Sequence, residues 1–258
     1  VDDLVKKLVL KRFNPTFNIP SLNFNITNPE TEFEAGSIVN VELAAIFDQG
    51  SINGKLENGI WYSDLIQNPR SGAVLNYLFN DSIDNDLINT LTIPNKQITD
   101  GDNNFKVLVE YGEGQQPVNS FNENFDIPFS AGSIEKTNLL KGYRNLFYGV
   151  DLNVTDLYDT SAEVRSLTNK KLNPINGTTF SIQIPVGTKM VVFAYPATLR
   201  DVSSVKYVEG MMSEIKSIFQ QAVIDVEGNN NYLAIPYKVY TYIPAAPFET
   251  VVNYQITI

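Results

Sequence analysis

The sequence predicts a mainly β protein that consists of two consecutive sandwich-type domains with few, short helices. Several segments alternate apolar and polar residues with a period of two, the pattern of a strand with one face in a core. Turn-forming dipeptides recur between these segments. Many short strands with a turn every 8 to 12 residues or so are typical of sandwiches and barrels.

Five segments carry the strand pattern most clearly. Residues 39–47, 105–111, 180–184 and 252–258 alternate, so each is expected to bury one face. Residues 190–195 read Met-Val-Val-Phe-Ala-Tyr and are apolar on both faces. A continuous apolar run of this length is typical of a central strand.

Dipeptides that tolerate a positive φ separate the strand segments. The hairpin-type pairs are Asn53-Gly54, Asn58-Gly59, Asp100-Gly101 and Asn176-Gly177. Because Asn, Asp and Gly enter the left-handed region at low cost, these pairs predict tight turns.

Helical signals occur in three places. Leu4, Val5, Leu8 and Val9 are spaced to form one face of a short N-terminal helix. Thr160 and Glu163 form the pattern of a capping box, which predicts a short helix that continues through Leu167. Apolar residues at helical spacing predict another helix over residues 209–221.

The chain divides into three parts on these signals. Residues 1–20 are expected to be a connecting arm, residues 21–135 an immunoglobulin-like β-sandwich, and residues 136–258 a β-rich sandwich with two short helices. A length of 258 residues fits two domains of this kind or one large β domain.

The charge balance excludes two classes of partner. Lys and Arg number 19 against 29 Asp and Glu, so the formal net charge is −10. Nucleic acid and anionic membranes require a positive surface, so neither is expected as the main partner. The chain has no run of 18 or more apolar residues, so no membrane-spanning segment is predicted.

The complete absence of His and Cys limits the chemistry further. Ser-His-Asp and Cys-His nucleophile systems cannot be built, and zinc sites, which prefer imidazole and thiolate, are disfavoured. The composition therefore favours a structural or binding protein. We expect no enzymatic activity, no catalytic residues, no metal site and no cofactor.

Two acidic motifs have competing interpretations. Residues 100–104 begin like a calcium loop, but Phe105 and Tyr111 stand where an EF-hand needs Gly and Glu, which favours a hairpin turn. Asp81, Asp84 and Asp86 form a cluster that suits a cation or a carboxylate-based glycosidase. Their neighbours are turn formers, so a solvated loop is favoured.

Basic and aromatic residues also cluster. The basic cluster Lys6, Lys7, Lys11 and Arg12 fits a nucleic-acid arm, the polar face of an amphipathic arm, or an arm that docks on a neighbouring subunit. The aromatic set fits a core, an interface or a sugar platform, with the core favoured: it comprises Trp61, Tyr62, Tyr77, Tyr232, Tyr237, Tyr240 and Tyr242.

A set of short strings carries a family resemblance. In the second half these are residues 142–149, 160–167, 186–188, 192–196 and 237–240, and in the first half residues 34–37 and 109–114. Together they resemble modules of tailed-phage virion structural proteins, over roughly residues 21–258. The resemblance implies a role in virion architecture and supplies no active site.

The residues of the first two strings also have a structural interpretation. Phe147 and Tyr148 are expected to anchor a strand, and Gly149 to permit the turn after it. Arg144 and Arg165 are expected to pair with carboxylates near the helix that Thr160 and Glu163 open, because a guanidinium held through two nitrogens defines geometry better than a Lys does. The alternative is two exposed arginines.

The sequence therefore predicts a non-enzymatic virion protein that makes symmetric contacts with its own copies and with other virion proteins in a tail, neck, baseplate or fibre. Its expected location is the virion, which is assembled in the host cytoplasm. The alternative is a receptor- or carbohydrate-binding β module on a phage or bacterial surface. A carboxylate-based glycosidase is a third hypothesis.

Overall fold

The computed structural model describes residues 4–5, 8, 11–66, 74–79, 90–125, 130–154 and 156–258. The described part is mainly β, with antiparallel sheets, and this confirms the predicted fold class. The immunoglobulin-like topology of the first domain stays a prediction.

The chain forms two compact units, each assembled from separate segments. Unit 1 comprises Val1–Pro29, Asn40–Pro94 and Asn104–Leu139. Unit 2 comprises Glu30–Val39, Asn95–Asn103 and Leu140–Ile258. Unit 2 therefore includes two segments from the first half of the sequence, whereas the sequence pattern placed a single boundary at residue 135.

The first ten strands form three sheets, and one of their pairs, between the end of β10 and the unit 2 strand β3, is parallel. A three-stranded sheet has the order β1-β5-β6, and two further sheets have the orders β2-β4-β8 and β3-β10-β9-β7. The bounds are β1 Thr16–Asn18, β2 Ser21–Ile26, β3 Glu32–Glu34, β4 Ile38–Asp48, β5 Ser51–Glu57, β6 Ile60–Ile66, β7 Val74–Phe79, β8 Thr90–Gln97, β9 Gly101–Tyr111 and β10 Gly132–Tyr143. Strands β4 and β9 coincide with two of the predicted alternating segments.

Two Asn-Gly pairs in unit 1 have different outcomes. Asn58 and Gly59 have φ values of 51° and 76° and connect β5 to β6, so this hairpin turn is confirmed. Asn53 and Gly54 lie inside β5, at a register shift in its pairing with β6, so the turn predicted there is wrong. A side chain at Gly54 would overlap the ring of Trp61, which explains why the strand carries glycine at this bulge.

The predicted arm is partly joined to unit 1. Leu4, Val5 and Leu8 are helical, as predicted, and their side chains are exposed, whereas Lys6, Lys7 and Val9 lie outside the described residues. Arg12 forms an ion pair of 2.9 Å with Glu123 and stacks on Phe121. Residues 16–18 of the predicted arm form β1, which pairs with β5.

Unit 2 contains two antiparallel sheets. The five-stranded sheet has the order β12-β11-β14-β18-β17, and the four-stranded sheet has the order β13-β19-β15-β16. The bounds are β11 Asn145–Asp151, β12 Asn169–Leu172, β13 Thr179–Ile184, β14 Met190–Pro196, β15 Ser204–Tyr207, β16 Ser213–Glu214, β17 Gln220–Val226, β18 Ile235–Tyr242 and β19 Val252–Thr257. The short helix α1 spans Ser161–Ser166.

The five-stranded sheet buries both of its faces. On one face Phe193 and Tyr240 pack with residues of the four-stranded sheet, such as Ile182 and Ile256, as in a β-sandwich. On the other face Val192 and Val239 pack with Val164 and Leu167, in and just after α1. Every residue of β14 is buried, which confirms the prediction of a central strand.

The helix predicted over residues 209–221 is wrong. Met211 and Met212 have φ values of 55° and 59°, in the left-handed region, so a right-handed helix cannot pass through them. The segment instead contains a turn, β16, a single 3-10 turn at Lys216–Ile218 and the start of β17. The helical spacing was misleading because Ile215 and Phe219 reach the sandwich core from a 3-10 turn.

No helix in the described ranges is long and apolar enough to span a membrane.

Candidate functional site

The most elaborate polar arrangement of unit 2 is built around the two arginines that the sequence singled out. Arg144 pairs with Asp100, and Arg165 pairs with Glu34. We call these four residues the paired-arginine site. Arg144 lies between β10 and β11, and Arg165 lies in α1, while both carboxylates come from the first half of the chain.

Arg144 is bound through Nε and Nη2 of its guanidinium. Nε donates to Asp100 Oδ1 over 2.8 Å, and Nη2 donates to Asp100 Oδ2 over 2.6 Å. Nη2 also donates to the carbonyl of Leu233 over 2.8 Å, and the guanidinium lies 5.2 Å from the ring centre of Tyr232. The side chain is only 7% exposed, so the charge is compensated inside the unit.

Arg165 forms a second, independent set of contacts. Its Nη1 lies 2.5 Å from Glu34 Oε1 and donates to the carbonyl of Glu227 over 2.8 Å. The guanidinium lies 5.5 Å from the ring centre of Phe147. Glu34 is 8% exposed, and its second oxygen faces Lys170 Nζ at 3.7 Å. A carboxylate buried this deeply depends on its cationic partners.

Close backbone packing positions Glu34. Strand β3 runs parallel to the end of β10, with Phe33 opposite Gly142 and Glu34 opposite Tyr143. The N–H of Ala35 donates to the carbonyl of Tyr143 over 2.8 Å. A side chain at Gly142 would overlap the carbonyl of Thr99, so the close packing of Thr99 against this end of β10 requires glycine.

A turn positions Asp100. Gly101 has a φ of 82°, and the buried Asn103 side chain accepts the N–H of Thr99 over 2.9 Å and donates back to its carbonyl. The chain thus turns here, but the predicted hairpin is wrong, because β8 and β9 belong to different sheets. The carboxylate of Asp100 and the amide of Asn103, which a calcium loop would present to the ion, are both engaged in other contacts.

The segment Gly228–Tyr232 contacts residues 35–37 directly. Asn229 donates its N–H to the carbonyl of Ala35 over 2.8 Å, and Asn230 Nδ2 donates to the carbonyl of Gly36 over 3.0 Å. A Cβ on Gly36, whose φ is 92°, would overlap the carbonyl of Asn229. Glycine at position 36 is therefore required by both the backbone and the packing.

The capping box is formed as predicted. Glu163 N–H donates to Thr160 Oγ1 over 3.3 Å, and Thr160 N–H donates to Glu163 Oε2 over 3.3 Å. Val164 is buried beneath the helix, and Ser161 Oγ accepts the N–H of Glu227 over 2.9 Å. The cap thus sets the position from which Arg165 reaches Glu34 and Glu227.

The three other site candidates lie in β11. Phe147 is buried against Tyr237, and Tyr148 points to the opposite face, where it packs on Phe180 with 5.0 Å between ring centres. Both anchor the strand as predicted. Gly149 is an ordinary strand residue, so the turn predicted after it is wrong. A Cβ there would lie 3.2 Å from Leu167 Cδ2, so glycine leaves room for the segment after α1.

Burial is the largest influence on the pKa of Tyr237, a tyrosine close to the paired-arginine site. Tyr237 donates its hydroxyl to the carbonyl of Asn145 over 3.0 Å. Burial raises the pKa of Tyr237 above its ordinary value of 10.0, although the positive charge of Arg144 acts in the opposite direction. The hydroxyl therefore remains a neutral donor.

Two cavities adjoin the site within unit 2. One, of about 350 Å³, is lined by Glu30, Glu32, Glu34, Ser37, Asn145 and Lys170 together with apolar and amide neighbours. The other, of about 240 Å³, lies beside Asp100 and Arg144. Among the described residues, Asn145 Nδ2 and Arg144 Nη1 are buried donors without a hydrogen-bond partner.

The described part of the chain contains no group of three or more Asp and Glu side chains arranged to hold a metal ion. The acidic cluster Asp81, Asp84 and Asp86 lies outside the described residues. The arrangement at the paired-arginine site is therefore one of mutual neutralisation, in which each carboxylate meets a guanidinium.

Comparison with known proteins finds no relative of the chain. No protein-family model matches the chain, and neither the curated proteins nor the solved structures contain a significant match.

Sequence reasoning identified the two cations and missed their partners. Asp100 was interpreted only as a turn former, and Glu34 only as part of a string before a strand. Arg165 and Glu34 are 131 residues apart, and Arg144 and Asp100 are 44 apart. Local spacing carries no information on such pairs; the available signal was that Glu34 precedes Ala-Gly, a small-residue pair suited to close backbone approach.

Proposed function

We propose that this chain is a non-enzymatic structural protein of a tailed-bacteriophage virion. It acts in a tail, neck, baseplate or fibre, where it contacts its own copies and other virion proteins. In this proposal its first part is an immunoglobulin-like module, and the chain is incorporated into the virion during assembly in the host cytoplasm.

The observation that carries the proposal is the internal use of charge at the paired-arginine site. Arg144 and Arg165 each bind a carboxylate and a backbone carbonyl. These contacts join residues 34 and 100 to the segments at 144, 165, 227 and 233. A reactive centre would present its charged groups to a substrate, whereas here they connect distant segments of unit 2, as a scaffold requires.

Two further features support an assembly role. Short strings in both halves of the chain, such as residues 34–37 and 142–149, resemble modules of tailed-phage virion proteins. The low share of charged residues, 19%, together with the exposed Asn, Ser and Thr side chains among the described residues, suits broad polar interfaces with bridging water.

The proposal is tested in two steps. Light scattering on the purified chain gives its mass in solution, and a defined oligomer is expected. Antibody labelling and imaging of phage particles that encode the chain then locate it, and density at a tail, neck, baseplate or fibre is expected. A chain absent from purified particles would overturn the virion assignment.

A second candidate function is the binding of a hydroxylated ligand, such as a glycan. It is favoured by the cavity of about 350 Å³, where Asn145 presents a buried Nδ2 without a partner close to the carboxylates of Glu32 and Glu34. Such a donor beside acceptors matches sugar hydroxyls.

The predicted aromatic platform receives less support, because Tyr237 and Tyr240 lie in the core. The side chain of Tyr77 lies outside the described residues. A glycan array tests this candidate, and binding lost in Asn145→Leu would establish it.

A further inference from the structure

Strand β17 forms one edge of the five-stranded sheet of unit 2. It pairs with β18 along all seven of its residues without a register shift. Residues 220–223 and Asp225 are exposed, and Val223 is 59% exposed. The sequence Gln-Gln-Ala-Val-Ile-Asp-Val contains no Lys, Pro or Gly. An edge strand of this kind is open to pairing with another strand.

The direction of each backbone group in β17 follows from the pairing of β18. The carbonyl of Pro236 accepts the N–H of Ala197, so Pro236 faces β14. Because successive residues of a strand direct their N–H and C=O to opposite sides, Tyr237 faces β17, where it lies opposite Ile224. Ile224 therefore bonds to β18.

By the same alternation, the backbone groups of Gln221, Val223 and Asp225 point away from the sheet. In the described part of the chain, no hydrogen bond joins the backbone groups of these three residues to another segment.

Helix α1 closes one end of this edge. Glu227 has the same outward direction, and its two backbone groups are satisfied: its N–H donates to Ser161 Oγ, and its carbonyl accepts from Arg165 Nη1. The paired-arginine site therefore protects the end of the edge. Gln221, Val223 and Asp225 lie beyond that cover and form what we call the open edge.

The opposite edge of the same sheet is constructed differently. Strand β12 has four residues, and two of them are lysines, Lys170 and Lys171. Short length and lysine side chains are the usual means of preventing edge-to-edge pairing. In the other sheet of unit 2, the edge strand β16 has two residues, whereas the edge strand β13 has six residues and, like β17, contains no Lys, Pro or Gly. The exposed residues of β13 are all polar, so among these four edges β17 alone combines length and the absence of protecting residues with an exposed valine, Val223.

We propose that the open edge pairs in antiparallel fashion with the open edge of a second copy of this chain, around a two-fold axis at Val223. Val223 then lies opposite Val223, and Gln221 lies opposite Asp225. Each residue whose backbone groups point away from the sheet then lies opposite such a residue of the second copy. Each of these three residue pairs exchanges two backbone hydrogen bonds, which gives about six in total. The pairing joins the two five-stranded sheets into one continuous sheet.

The side chains favour a second copy over an unrelated strand. In this register each Asp225 carboxylate faces an uncharged Gln221, and the two carboxylates are separated by about four residues of strand, roughly 13 Å. Val223 packs on its own copy at the axis, which covers two exposed valines. A strand that matches itself in hydrogen-bond direction, charge and apolar contact is what an isologous interface requires.

This inference rests on the proposed function, since it specifies the self-contact of an assembling protein. Sedimentation equilibrium over a range of concentrations measures the dissociation constant of the wild-type chain and two variants. Val223→Pro removes an outward N–H without touching the ladder to β18, and Val223→Lys places a charge on the axis. Both are expected to raise the dissociation constant at least about tenfold, a change of about 1.4 kcal/mol.

Val251→Lys is the matched control, because Val251 is a similarly exposed valine, at 52%, in a loop of the same unit. It is expected to dimerise like the wild type. Near-ultraviolet circular dichroism establishes that all variants are folded. An oligomer whose mass is unchanged by both Val223 variants would overturn the open-edge pairing and leave the assembly function intact, whereas a monomeric wild type would overturn both.

Cross-linking gives a second readout that does not require loss of function. The chain has no Cys, so Val223→Cys and Val251→Cys each introduce a single thiol. Val223→Cys is expected to form a disulfide-linked dimer under mild oxidation at least about tenfold faster than Val251→Cys, because the paired Cα atoms would be about 5.5 Å apart. Equal rates would exclude the two-fold register, and capture of a foreign protein in place of a second copy would contradict it.

Discussion

The Arg144 guanidinium holds the Asp100 carboxylate through two nitrogens: Nε donates to Oδ1 over 2.8 Å, and Nη2 donates to Oδ2 over 2.6 Å. The carboxylate is 40% exposed, while the arginine is 7% exposed. Removing the carboxylate would therefore leave a buried charge with only a carbonyl and an aromatic ring as partners.

We therefore expect Asp100→Ala to lower the free energy of unfolding by about 2 kcal/mol, less than for a fully buried pair because Asp100 is partly solvated. Denaturant unfolding followed by near-ultraviolet circular dichroism measures it. Asp102→Ala is the control, since Asp102 is exposed in the same turn, and a change within about 0.5 kcal/mol is expected. Equal effects of the two substitutions would show that the ion pair does not contribute.

Arg165→Ala is expected to destabilise unit 2 more strongly, by about 3 kcal/mol. It leaves Glu34, which is 8% exposed, facing only Lys170 at 3.7 Å, and it removes the donor to the Glu227 carbonyl. Hydrogen exchange of peptides that cover residues 30–39 and 161–167 should increase locally. Arg200→Ala serves as the comparison, because Arg200 is exposed and its contacts are made by the backbone. Unchanged stability and assembly in Arg165→Ala would refute the structural role of this residue.

The capping box gives a prediction of smaller size. Thr160→Ala removes the acceptor of the Glu163 N–H, and a loss of about 1 kcal/mol is expected. Thr160→Ser keeps the hydroxyl and should be nearly neutral. The midpoint of thermal unfolding reports both changes, and an equal drop in the two variants would point to the methyl group rather than the cap.

Buried tyrosines predict a loss of stability at alkaline pH. Burial, with smaller contributions from Asp151, Asp156 and Glu163, raises the pKa of Tyr158 from 10.0 to about 12. Burial likewise raises the pKa of Tyr254 to about 12, with smaller contributions from Tyr242 and Tyr207. Since the folded pKa exceeds the unfolded one, the stabilisation is complete below pH 10 and is lost as the pH rises from 10 to 12.

Tyrosinate absorbance measures this titration directly. Part of the absorbance change should appear only near or above pH 12, and the unfolding midpoint should fall over the preceding two pH units. Tyr158→Phe should remove one late-titrating group and flatten that dependence. Complete ionisation near pH 10 in the folded protein would contradict the burial of these hydroxyls.

Much of the secondary structure could be predicted because its signals are local. The alternation in residues 252–258 requires one buried face, and β19 has it. The apolar run in residues 190–195 requires cover on both faces, and β14 has cover on both. The spacing of Thr160 and Glu163 is that of a cap whose two hydrogen bonds close within a single turn.

Predictions from local sequence patterns were wrong where the conformation of the segment depends on contacts or backbone angles that the pattern does not contain. Gly54 carries the signature of a hairpin but lies in a bulge, because the ring of Trp61 occupies the space of its side chain. Gly149 was expected to permit a turn, whereas it makes room for Leu167. Met211 and Met212 have helical spacing with their neighbours, but both adopt left-handed conformations that end any helix.

The amino-acid order alone therefore determined the β class, the central strand, the capped helix and the identity of the two structural cations. Each follows from interactions between residues a few positions apart, or from the need to bury an apolar face. Tertiary structure decided that Arg144 meets Asp100, that Arg165 meets Glu34, and that β17 is left as an open edge. These features arise when segments separated by tens of residues come together, and the free energy that selects them depends on packing and burial that no local pattern contains.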